Sequence, residues 1–229
     1  MKIVIKIGGY AFPSEIDVGL IIEYANILRQ LRKDGHIVVA VTGGGENARK
    51  YINSARKLGG AEFLCDLIGI HVSRLNAYLL ITKLGEDAYP NPPTSIDELM
   101  QALMTGKIVV VGGLQPGQST NAVAAIAAEA VGADMLINTT DVDGVYTADP
   151  KKDPHAKKLP VVNIKEFIDI VSGEKMFAGS YDLFDLPALK IIERSKIPTW
   201  IVNGRSVENV AKAILGEKVG THVIAEKPL

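Results

Sequence analysis

The chain has 229 residues, 47% of them hydrophobic and 22% charged, an ordinary globular composition with room for one large α/β domain or two small ones. Its 25 Lys and Arg stand against 26 Asp and Glu, and a net charge of −1 gives no support to a nucleic-acid or membrane-surface binder, which needs a basic excess. A single cysteine excludes an internal disulfide framework; without a signal-peptide pattern or an apolar run approaching a membrane span, a cytoplasmic protein is expected.

In chain order, residues 3–9 (IVIKIGG) read as a buried strand ending in glycines, and residues 17–33 as a helix with Ile21, Ala25 and Leu28 on one face, stopped by Gly35. Residues 37–45 (IVVAVTGGG) repeat the strand-to-glycine pattern, and 46–58 form a helix closed by Gly59 and Gly60. A long helix over 62–83 carries Leu64, Leu67, Ile68 and Leu75 at helical spacing, with Cys65 as a buried structural thiol. Residues 108–113 (IVVVGG) make the third glycine-ended strand. Thr120–Val131 is an alanine-rich helix capped by Ser119 or Thr120. A strand over 135–138 runs into the polar turn Thr139-Thr140-Asp141, and residues 149–160, rich in proline and lysine, read as a solvated loop. Helices over 164–171, Leu186–Ser195 and 207–215, with a strand at 200–203 ending at Gly204, complete the set. Strands alternating with helices imply a parallel sheet covered on both faces. An internal division is expected near Gly106, separating an acceptor-side half (about 1–106) from a nucleotide-side half (about 107–229).

Ligands of open parallel sheets bind beyond the carboxyl ends of the strands, where glycines let backbone N–H groups approach a phosphate. Three strands with the same glycine ending therefore point to phosphate chemistry. The Gly-x-x-x-x-Gly-Lys-Ser/Thr loop is absent, which disfavours a Walker-type NTPase. Gly43-x-Gly45-x-x-Ala48 is half a dinucleotide fingerprint, but the acids that should follow, Glu62 and Asp66, fall in a helical stretch, so a dehydrogenase ranks second. Phosphoryl transfer asks for cations and backbone donors around the phosphates. Lys6 lies two residues before Gly8-Gly9 and Arg49 one turn after Gly45; a strand-edge lysine reaching solvent and a solvated helix face are the alternatives. The run from Gln115 to Thr120 supplies amides and hydroxyls just before a helix start. Asp141, Asp143 and Asp149 do not have EF-hand spacing, the four histidines show no metal-ligand spacing, and no Gly-x-Ser-x-Gly elbow appears. The residues point to an enzyme that moves the terminal phosphoryl group of ATP onto a small acceptor.

Lys6-Ile7-Gly8-Gly9, Thr42-Gly43-Gly44-Gly45, Gly112-Gly113 and the stretch from Thr140 to Pro150 (TDVDGVYTADP) resemble the amino acid kinase family. Asp66-x-x-Gly69-Ile70-x-x-Ser73-Arg74-Leu75-Asn76-Ala77 and the stretch from Gly113 to Thr120 (GLQPGQST) resemble its archaeal uridylate (UMP) kinase branch, in order along almost the whole chain. The resemblance implies a three-layer αβα sandwich with a mainly parallel central sheet, ATP with Mg2+ as co-substrate, UMP as acceptor and UDP as product. It also implies a homo-oligomer, typically a hexamer, in pyrimidine nucleotide biosynthesis, often inhibited by UTP. By matched motif, Lys6 would be catalytic, neutralising charge on the transferring group. Gly9, Tyr10, Gly45, Arg49, Thr140, Asp141, Tyr146 and Asp149 would hold ATP. Gly44, Asp66, Leu114, Gln115, Pro116, Gly117, Gln118, Ser119 and Thr120 would hold UMP, with Asp66 accepting from the ribose hydroxyls. No protein metal ligand is implied. Three positions depart from the pattern: Tyr10 stands where many relatives have serine, Asp141 where asparagine is frequent, and Asn121 where other kinases of the superfamily place an acid. Lys190 reads as a helix-surface lysine. Alternatives are a same-fold kinase for an amino acid, carbamate or isopentenyl phosphate, or a nucleotide-sensing or metal-storage protein without turnover.

Overall fold

The computed structural model describes residues 1–148, 153–172 and 184–224. The β-branched runs form strands because each is buried on both faces, a setting that favours Val and Ile. Strands β1 (Lys2–Ile7), β2 (Ile37–Thr42), β3 (Val109–Val111), β4 (Met135–Thr140), β7 (Val161–Asn163), β8 (Thr199–Asn203) and β9 (Thr221–Ile224) build one seven-stranded sheet in the order β3-β2-β1-β4-β8-β9-β7. The first five strands in that order run parallel; β9 is antiparallel to β8 and parallel to β7. β5 (Val145–Tyr146) and β6 (Lys158–Leu159) form a separate antiparallel hairpin.

Helices cover both faces: α1 (Val18–Lys33), α2 (Gly45–Lys57), α3 (Glu62–Leu84), α4 (Ile96–Leu103), α5 (Thr120–Val131), α6 (Ile164–Ser172), α7 (Leu186–Ser195) and α8 (Glu208–Ile214). Alternation along β1 sorts the core. Val4, with Val41 and Leu136 on neighbouring strands, packs beneath α5 and α7. Ile3, Ile5 and Ile7 pack beneath α1, α3 and α8, where Ile21, Ala25 and Leu28 of α1 are buried as expected. Parallel register brings the carboxyl ends of β1, β2, β3, β4 and β8 to one edge, and with them every glycine loop singled out above.

Four expectations change. α4 was not anticipated; it is only two turns long, started by Ser95, whose hydroxyl accepts from the Glu98 N–H at 3.1 Å. β5, β6, β7 and β9 were also missed, being two to four residues long and below the reach of an alternation pattern. The leucines read at helical spacing along α3 are in part turned outward: Leu64 and Leu75 are 48% and 63% exposed, while Cys65, Ile70, Ala77, Leu80 and Leu84 face the core. Finally, the segment Glu62–Asp87 is long and apolar enough to cross a membrane by length and composition, contrary to expectation. It instead lies along α1 and α2, with 44% of the apolar stretch buried inside the protein.

Candidate functional site

Two clefts open side by side at the carboxyl edge of the sheet. The larger, of about 460 Å3, is lined by Lys6, Gly8, Gly9, Tyr10, Pro13, Glu46, Arg49, Thr140, Asp141 and Arg205. The smaller, of about 270 Å3, has Gly44, Gly45, Ala48, Ile52, Asp66, Gly69, Ile70, Ser73, Gly113, Gln118 and Thr120 in its wall, and again Arg49. Arg49 belongs to both. Exposed in the first turns of α2, it lies between the two clefts.

The glycine loops nest against one another. Gly45 has φ +68, and a Cβ there would lie 2.1 Å from the Phe12 carbonyl oxygen, so only glycine fits. A Cβ on Gly9 would lie 3.1 Å from the Gly45 Cα. α3 holds the loops from below, which accounts for its Ser73-Arg74-Asn76 spacing. Asn76 donates to the Gly43 and Gly44 carbonyls at 2.8 and 3.2 Å. Ser73 Oγ accepts from the buried Gly113 N–H at 2.7 Å, and Arg74 donates to the Gly113 carbonyl at 3.0 Å. These residues are scaffold, since their polar groups are spent on backbone.

In the larger cleft Lys6 is half-buried, and burial pulls its ammonium down to about 8, opposed by the charges of Asp185 and Asp141. Asp185 was not singled out from sequence. It caps α7, accepting from the Ala188 N–H at 3.0 Å, and is hydrogen-bonded to Ser119, which caps α5 by accepting from the Ala122 N–H. The starts of α5 and α7 are thereby tied together beside Lys6, directing two positive helix ends to one region. The acid absent at Asn121 thus has a counterpart: Asp185 brings a carboxylate to the same helix start. An aspartate followed by Leu186-Pro187 at a helix start is an N-cap signature, and that signal was available in the sequence.

Tyr10 borders the larger cleft with its ring but turns its hydroxyl inward. That hydroxyl donates to Thr139 Oγ1 at 2.8 Å and touches the Tyr24 hydroxyl; Tyr24 donates to the Gly204 carbonyl at 3.0 Å. Thr139 in turn donates to the Lys6 carbonyl at 3.0 Å. Burial raises both phenols, Tyr24 to about 12, so both remain neutral donors. Arg205, also missed from sequence, sits 5.7 Å over the Tyr10 ring and adds a third cation to the cleft. Tyr146 lies on β5, outside the residues lining the cleft, and Asp149 lies outside the described residues.

The loop from Leu114 to Thr120 divides its tasks. Gln118 and Thr120 line the smaller cleft, where Gln118 Oε1 is buried without a hydrogen-bond partner. Gly117 N–H donates to Asp66 Oδ2 at 2.8 Å, fixing the loop to α3 and leaving Asp66 with further accepting capacity. The Leu114 side chain is in the core, Ser119 is the cap described above, and Gln115 and Pro116 do not line the cleft. Lys190 pairs with Glu193 at 2.9 Å on the surface of α7. Among the described residues no group of three or more His, Cys, Asp or Glu is placed to hold a metal ion.

A family model described as the amino acid kinase family matches residues 1–203. A uridylate kinase of Hyperthermus butylicus is 49% identical over 220 residues, covering 96% of this chain and 96% of that protein. One from Methanothermobacter thermautotrophicus is 49% identical over 226 residues, covering 99% and 100%. The crystal structure of uridylate kinase from Archaeoglobus fulgidus matches with a TM-score of 0.89 at 42% identity, over 97% of this chain and 100% of that one. That of UMP kinase from Bacillus anthracis shares the fold, with a TM-score of 0.84 at 22% identity.

Proposed function

The chain belongs to the amino acid kinase family, and we propose that it is a kinase transferring the γ-phosphoryl group of ATP to UMP, giving UDP and ADP. The observation that carries this reading is the pair of clefts sharing Arg49: a phosphate donor and a phosphate-bearing acceptor fit side by side with one guanidinium between them. The larger cleft, with Lys6, Arg49, Arg205 and the Gly8-Gly9 backbone, suits the polyphosphate of ATP. Gly9, Tyr10, Thr140, Asp141, Tyr146 and Asp149 complete the proposed donor set; Gly45 lines the smaller cleft instead and meets the donor side only through its packing on Gly9. In the smaller cleft Gly44, Asp66, Gln118 and Thr120 take UMP, Asp66 accepting from the ribose hydroxyls and the unpaired Gln118 oxygen awaiting a ligand donor.

Transfer runs in line from ATP to the UMP phosphate with no covalent enzyme intermediate. Lys6 and the joined starts of α5 and α7 stabilise the charge that spreads over the transferring oxygens. Magnesium would enter as part of the co-substrate, MgATP, where it neutralises phosphate charge. Self-association into a homo-oligomer, a hexamer by resemblance, would bury the outward apolar side of α2 and α3, where Tyr51, Leu58, Phe63 and Leu75 are more than 60% exposed. Asp66→Ala tests the division of the clefts. It is expected to raise the KM for UMP at least about tenfold, the value of one or two charge-assisted hydrogen bonds, with the KM for ATP nearly unchanged. A selective loss of ATP binding would reverse the assignment.

A further inference from the structure

Buried polar atoms are nearly always paired, because a dry, unpartnered donor or acceptor costs about 1–3 kcal/mol. Asn138, in β4, breaks this rule at both ends of its amide: it is 1% exposed, and neither Oδ1 nor Nδ2 has a hydrogen-bond partner. Its registered neighbours are Lys6 on β1 and Ile201 on β8. Registered residues of a parallel sheet project to the same side, so the amide stands next to the side chain of Lys6, which lines the larger cleft. Packing does not ask for an amide there. Val41, on the other side of Lys6, and Ile201 are both apolar core residues, and an apolar side chain of the same size at 138 would remove two unpaired groups.

We propose that Asn138 is a positioning residue for phosphoryl transfer: once phosphates fill the cleft, its amide oxygen accepts one proton of the Lys6 ammonium and directs the remaining N–H groups at the transferring phosphoryl group. An ammonium carries three donors on a flexible four-carbon stem, so it needs a fixed acceptor to hold one orientation. The penalty of the unpaired amide oxygen belongs to the empty cleft and is relieved in the loaded one. Pairing also favours the charged form of Lys6. The other charged and titratable groups facing it are Asp185 from α7, Asp141 beyond β4, Glu46 and Arg49 from α2, Arg205 after β8, and Tyr10. All of these stay in place when only position 138 is changed.

The proposal rests on the uridylate kinase reading of the clefts, and Asn138→Leu separates the two. With UMP and MgATP, N138L is expected to fold with an unchanged or higher thermal midpoint, to lose roughly 10–100-fold in kcat, and to keep both KM values within about threefold. The alkaline limb of its kcat profile should move to lower pH. Asn138→Ala, smaller than the native residue, carries the same kinetic expectation if leucine overpacks the site. Asn138→Ser, which restores an acceptor, should recover part of the rate. Wild-type kcat and an unmoved alkaline limb in N138L or N138A would overturn the role of Asn138. Wild-type protein that forms no UDP in the same assay would instead overturn the reading of the clefts.

Discussion

Replacing Lys6 with methionine removes the charge while keeping the length of the side chain. Burial draws the Lys6 ammonium from 10.5 to about 8, against the opposing attraction of Asp185 and Asp141. Between those two values the unfolded chain binds a proton that the native chain does not, so wild-type stability rises with pH across that window and levels off above it. Below about pH 8 the buried charge therefore costs stability. A fall of about 2.5, at ~1.36 kcal/mol per pH unit, sets an upper limit of roughly 3 kcal/mol. For a chain of this size that is roughly 6–12 °C in melting temperature. K6M is thus expected to melt higher than the wild type at pH 7, the advantage shrinking as pH rises from about 8 to 10.5. Its kcat should fall by roughly 10²–10³, the usual cost of deleting a group that stabilises transition-state charge. Thermal melts and initial rates over pH 6–11 read both, the window being set by the two pKa values. K6M that melts lower at pH 7, or retains kcat, would refute the account of Lys6 as a destabilising charge kept for catalysis.

Gly204→Ala would place a Cβ 1.7 Å from the Tyr10 hydroxyl and 2.4 Å from that of Tyr24. It is expected to displace the Tyr10 ring, cost about 1–3 kcal/mol in urea denaturation and raise the KM for ATP. Ser73→Ala leaves the buried Gly113 N–H without its acceptor, at a cost of about 1–3 kcal/mol. Because Gly113 lines the smaller cleft, the KM for UMP should rise while that for ATP stays within about threefold. For the wild type, kcat/KM for ATP should decline above about pH 8, as the free enzyme loses the Lys6 proton.

The sheet was legible because its central strands are β-branched runs closed by glycines, a local pattern that parallel register turns into one ligand-binding edge. The short strands β5, β6, β7 and β9 and the two-turn α4 were not, since two to eight residues carry too little periodicity to register. Which side of α3 is covered was not legible, for a physical reason: Leu64 and Leu75 follow the same helical spacing as core leucines, and spacing alone does not say which side of a helix is covered. In the site, Lys6 and Arg49 follow from position relative to the glycine loops, whereas Asp66 was singled out as a ligand only through the family resemblance. Asp185 and Arg205 are brought in from distant α7 and the turn after β8, and Asn138 is hidden inside a strand that reads as plain core. Tyr10, a departure from the family pattern, is explained by the space that Gly204 leaves for its hydroxyl.

The central claim, a phosphoryl group passing from ATP to UMP across Arg49, is tested most directly by incubating the protein with MgATP labelled at the γ-phosphate and resolving the products. The panel of acceptors is UMP, CMP, carbamate and glutamate. Label appearing in UDP, with kcat/KM for UMP well above that for every other acceptor, is the predicted result. Label transferred to CMP, carbamate or glutamate as well as to UMP, or to none of them, would contradict it.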